Sequence, residues 1–92
     1  MTIRILGEGQ FTVPDEHDPE LNRLDEAVAA AVTTADEVAY EQALAILLGR
    51  VRALGSPLPD DVLSASDAIL PAAGTDLAEV QALLGEQGLI PG

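Results

Sequence analysis

Apolar side chains alternate at the start of the chain. Ile3 and Ile5 flank Arg4, Phe11 and Val13 flank Thr12, and Gly7-Glu8-Gly9 lies between the two runs. A period of two marks half-buried strands, and glycines between two such runs mark a hairpin. A two-residue loop, Gly7-Glu8, would pair Ile5 with Gln10 and mix the faces, because successive side chains point to opposite sides. A three-residue loop, Gly7-Glu8-Gly9, pairs Ile5 with Phe11 and Ile3 with Val13. Arg4, Leu6, Gln10 and Thr12 then share the other face. That loop is a type I turn followed by a residue at positive φ, which suits Gly9. Pro14, with no N–H to donate, closes the second strand.

Beyond Pro14 the period changes. Asp18-Pro19-Glu20 combines an N-capping residue, a proline suited to the first turn and an acid at the positive helix end. Leu21, Leu24, Val28, Ala31, Val32 and Ala35 follow at helical spacing. A second helix is expected from Thr34, with Glu37 at capping-box spacing. Its stripe is Tyr40, Leu44, Leu47, Leu48, Val51 and Leu54, and it stops at Gly55 ahead of Pro57. So short a connection predicts an antiparallel helical hairpin. From Ser56 to Gly74 no helical stripe survives, and "SDAILP" contains a short extended segment at 67–70, expected as a third strand beside the hairpin. A last helix begins near Asp76, with Glu79 at capping spacing. Gly88 is placed for its C-cap, and Leu89 can fold back on the final turn. The expectation is one α+β domain over residues 1–92: an N-terminal β-hairpin packed on an antiparallel helical hairpin and a C-terminal helix.

Composition narrows the function. Only Phe11 and Tyr40 are aromatic, so the core is aliphatic and modest. The absence of cysteine excludes disulfides, iron–sulfur clusters and thiolate zinc sites. No apolar run approaches the roughly 20 residues of a membrane span, and the first residues lack the basic and apolar pattern of a signal, so a cytoplasmic location is expected. Sixteen acids face four basic residues, all arginine, for a formal net charge of −12. That field opposes nucleic acid and anionic lipid, while a basic protein partner is compatible with it.

Candidate chemistry is sparse. Gly7-x-Gly9 lacks the third glycine and following helix of a dinucleotide fingerprint, and no lysine is available for a P-loop. "DEHDPE", Asp15 to Glu20, gathers acids around the sole histidine, His17. It has no calcium-loop periodicity and lies where helix N-termini collect acids. Asp60-Asp61 is an adjacent loop pair in a chain with no second histidine, no cysteine and no lysine, and Ser56, Ser64 and Ser66 lack a nucleophile-elbow context. Neither catalytic residue, metal nor cofactor is expected. Apolar residues left over for a partner are Leu6, Tyr40, Leu89 and Ile90, besides the unpaired hairpin edge.

Three stretches resemble one family. "IRILGEGQFTV" at the start, "PLPDDVLSASDAILP" from Pro57 to Pro71, and the terminal "EVQALLGEQGLIPG" are similar in order to the small PspA-associated protein PspAA. The resemblance implies association with PspA, the coiled-coil membrane-maintenance protein of the phage shock envelope-stress response, and implies no catalytic motif. The leading expectation is therefore a non-enzymatic adaptor or regulator that binds a PspA-type protein and reaches the membrane only through it. Arg4, Leu6, Glu8, Gln10, Leu89 and Ile90 are its expected contact residues. Two competing expectations are a self-associating module dimerising through the hairpin edge, and a small metal-binding or enzymatic domain.

Overall fold

The computed structural model describes residues 1–59 and 65–83. Strands β1 (Thr2–Ile5) and β2 (Gly9–Thr12) form the hairpin, and a 3₁₀ turn (Asp15–His17) leads into α1 (Asp18–Thr33). Helix α2 (Glu37–Leu54), strands β3 (Ser56–Pro57) and β4 (Ala68–Leu70), and α3 (Leu77–Leu83) complete the order. The sheet runs β3-β2-β1-β4, with β1 antiparallel to β2 and parallel to β4. The third strand expected at 67–70 is therefore present as β4. The short edge strand β3, antiparallel to β2, carries too few residues to show a periodicity.

The hairpin register differs from the expected one by two residues. Ile3 faces Phe11 and Ile5 faces Gly9, while Val13 lies across from Met1, to which it donates and from which it accepts at 2.8 and 2.7 Å. The turn closes one residue earlier than expected: the Glu8 N–H donates to the Ile5 carbonyl at 3.0 Å. Gly7, third in that turn, has φ +86 and Gly9 has φ +115, so both glycines occupy backbone that other residues resist. A shift of two preserves the faces. Ile3 and Ile5 are fully buried, as the alternation requires.

Both helix starts depart from the expected caps. An N-cap takes extended backbone, but Asp18 is helical (φ −56, ψ −43) because the preceding 3₁₀ turn winds directly into α1. It is helical despite the following proline, and its side chain caps nothing. Thr34 does not start α2; its hydroxyl donates back to the Ala30 carbonyl at 3.0 Å and ends α1. Asp36 is the N-cap instead, accepting the Ala39 N–H at 3.1 Å. Between the helices, Asp36 N–H bonds Ala31 C=O at 2.9 Å and Ala35 N–H bonds Val32 C=O at 3.1 Å. This is a Schellman turn with Ala35, at φ +56, where glycine is usual. Ala35, read from sequence as the end of the buried stripe, is therefore exposed. Ala35→Gly is expected to stabilise the protein by about 1 kcal/mol in urea unfolding, by relieving that strain. No gain would mean that the turn tolerates the methyl group.

The two helical stripes face one core. Leu21, Val28, Leu47, Leu48 and Val51 are fully buried with Ile3, Ile5, Val13 and Leu70, joined by Val80 of α3. Each such aliphatic side chain contributes about 1.5–3 kcal/mol through its burial. The helices run antiparallel: Arg50 near the end of α2 pairs with Glu20 near the start of α1, Nε to Oε2 at 2.6 Å. Hydrogen bonding from Arg50 holds the Glu20 carboxyl below the usual carboxylate range. Among the described residues no helix is long and apolar enough to cross a membrane.

Candidate interaction surface

One face of the sheet covers the core and the other faces outward. Alternation along β1 places Arg4 and Leu6 on the outer face, and the parallel register sets Arg4 beside Ile69 of β4. Leu6 is 41% and Ile69 52% exposed, and Arg4 is exposed as well. The Leu6 N–H donates to the Leu70 carbonyl at 3.0 Å, so the pairing with β4 continues past Ile5 to the edge of the turn. Among the described residues Arg4 takes part in no ion pair, unlike Arg50 and Arg52. The result is two aliphatic side chains and a cation on one open face of an acidic chain.

Glu8 sits at the hairpin tip and is held there. Arg52 donates from Nε at 2.7 Å and from Nη2 at 2.5 Å to its two carboxylate oxygens. This bidentate pair ties the turn to the last turns of α2, and hydrogen bonding from Arg52 is the main reason that the Glu8 carboxyl lies below its ordinary value. Glu8 thus remains on the surface with its charge compensated.

Gln10 requires a correction as an exposed contact residue. It is only 7% exposed. Its side-chain amide donates to Ser66 Oγ at 2.8 Å, and its carbonyl accepts the Leu58 N–H at 2.8 Å. The chain leaving β3 and the chain entering β4 both fasten onto this residue, so it anchors the cover over that part of the outer face. Leu89 and Ile90 lie outside the described residues, as do Asp60, Asp61, Ser64 and Gly88.

Tyr40, also considered for partner contact, is 1% exposed and belongs to the core. Its hydroxyl donates to the Thr75 carbonyl at 2.5 Å, joining α2 to the loop before α3. Burial, then the carboxylates of Asp76, Glu79 and Glu41, raise the phenol above its ordinary pKa. Beside it lies a pocket of about 260 Å³ lined by Leu44, Leu48, Ala73, Gly74 and Asp76 among others. A phenol pushed upward donates hydrogen bonds at neutral pH and is a poor general base. Among the described residues the one side-chain ion-pair contact of His17 is with its neighbour Glu16, at 3.6 Å. Among the described residues no three His, Asp or Glu side chains are grouped to hold a metal.

All of residues 1–92 match the family model described as PspAA, PspA-Associated protein. The chain belongs to the PspAA family. No curated protein and no solved structure matches it. In this PspAA chain the opening family-like run, Ile3 to Val13, forms the hairpin, and the "SDAILP" run supplies the strand beside it. Both motifs therefore build the same sheet, and their outward residues meet on one face.

Sequence reasoning missed Ile69 as a surface residue of this PspAA sheet. The signal was available only jointly: Ile69 alternates with the buried Ala68 and Leu70, yet its neighbour Arg4 is remote in sequence. It also missed the buried Asp25 on α1, which is 3% exposed, and the exposed Val38 and Ile46 on α2.

Proposed function

We propose that this PspAA protein is a non-enzymatic adaptor that binds a PspA-type coiled-coil protein during envelope stress. The observation that carries the reading is the family match over the whole chain, whose description names association with PspA. The open sheet face supports it, with Leu6 and Ile69 offering apolar contact and Arg4 a charge without an ion-pair partner among the described residues. The net charge of −12 steers the encounter toward a more basic surface and opposes direct contact with anionic lipid. The adaptor works in the cytoplasm and reaches the membrane through its partner.

The test is retention of the full chain on the immobilised cognate PspA-type protein at low and high salt. Wild type is retained, with a slower on-rate at high salt as steering is screened. Leu6→Ser combined with Ile69→Ser removes the apolar contact without changing the charge and weakens retention by about tenfold or more while thermal unfolding stays cooperative. Absence of retention at both salt levels removes the adaptor reading. Undiminished retention of the double variant moves the contact off the sheet.

A further inference from the structure

We infer that the outward face of α2 is a self-association surface on which a second copy of this chain packs antiparallel. Of the large apolar side chains most exposed among the described residues, Val38 at 64% and Ile46 at 54% both stand on this helix. Between and beyond them Gln42, Ala45, Gly49 and Ala53 are exposed. Val38, Gln42, Ala45 and Gly49 recur at the four-three-four spacing that makes a continuous seam on a helix. No charge interrupts that seam, although the chain carries sixteen acids.

Gly49 is informative because nothing among the described residues of its own chain calls for it. A Cβ built there meets no atom of the described residues within 4 Å, and its φ is not positive. Glycine is a poor helix former, so its place in mid-helix is unexplained by the monomer. A second helix at close range explains it. Small residues let two helix backbones approach to the short end of the ~8–10 Å interaxial range.

Charge names the occupant. Helix α2 begins with the cap Asp36, then Glu37 and Glu41, and ends with Arg50 and Arg52. Glu41 and Arg52 are about three turns apart on one flank of the seam. A two-fold axis crossing α2 between Ile46 and Leu47 brings Glu41 of each copy beside Arg52 of the other. Self-complementarity of this kind belongs to an isologous dimer. Arg52 gives Nε and one Nη2 bond to Glu8, and its other guanidinium N–H groups make no hydrogen bond among the described residues, which leaves them for a second carboxylate. The sheet's outer face is not used, so this inference stands independently of the proposed adaptor role.

Sedimentation of the full chain over a concentration series at physiological ionic strength tests it. There the Debye length of about 8 Å screens the overall repulsion between acidic copies but leaves contacts at the seam. The mass is expected to rise from the 9.5 kDa chain toward twice that value. Gly49→Leu points into open space in the monomer, so helical circular dichroism and melting are retained. Its dimer dissociation constant rises by about tenfold or more, because the seam no longer closes. Glu41→Arg places like charges together and raises the constant as well. A mass that stays at one chain at every concentration overturns the inference, as does Gly49→Leu pairing as well as wild type. If wild type stays monomeric while Gly49→Leu loses retention on the PspA-type partner, the face belongs to that partner and self-association is equally overturned.

Discussion

Leu47→Ala is expected to lower the unfolding free energy by about 3 kcal/mol, within the roughly 2–5 kcal/mol typical of buried leucine truncations. Leu47 is fully buried in the middle of α2 and belongs to the cluster that joins both helices to the sheet. Truncation loses the transfer energy of the removed carbons and leaves a cavity whose lining is held by two elements. In a chain of this length the melting temperature should fall by roughly 12–24 °C. That is a large share of a stability that for small domains is about 5–15 kcal/mol. Thermal and urea unfolding measure it, and a loss under about 1 kcal/mol would show that the sheet and α1 collapse into the space.

The second large effect is at Gly55. Its backbone is ordinary (φ −92, ψ 163), so glycine is not needed there for conformation. It is needed for space. A Cβ at this position would lie 2.8 Å from the Val51 carbonyl oxygen and 3.1 Å from both Phe11 Cβ and Val13 Cγ2. The carbonyl is fixed by the helix and the other two atoms by the sheet, so relief requires α2 to move off β2. Gly55→Ala is expected to cost about 2 kcal/mol, at the middle of the range for overpacked sites. Equilibrium unfolding checks it; a variant as stable as wild type would mean that the helix end can retreat freely. The contrast with Gly49 is physical: one glycine admits a close neighbour within the chain, the other faces open space.

Much of this was legible from local pattern. Period-two alternation put Ile3 and Ile5 inward and Arg4 and Leu6 outward, and each residue is placed so. The period of 3.6 named Leu21, Val28, Leu44, Leu47, Leu48 and Val51 as core, and all are buried. The helix ends were harder. Asp18, Thr34 and Asp36 are all good caps by type, and only the backbone conformation imposed by the neighbouring turns selected Asp36. Gln10 reads as a surface residue from its polarity and parity, but the chain around Leu58 and Ser66 covers it. Nothing near Gln10 in the sequence announces that cover.

The sequence by itself determined the inward alternation of Ile3 and Ile5, the buried stripes of the two long helices, and the family to which the chain belongs. Those properties rest on short-range periodicity and on contiguous motifs. Tertiary structure alone decided the hairpin register, because slipping a strand by two residues leaves every side chain on the same face and local pattern cannot tell the two apart. It also decided that β4 lies parallel to β1, setting Ile69 beside Arg4 across most of the chain's length. Partners so far apart are chosen by how the whole core closes, and it is that closure which leaves the outer sheet face and the outer side of α2 open.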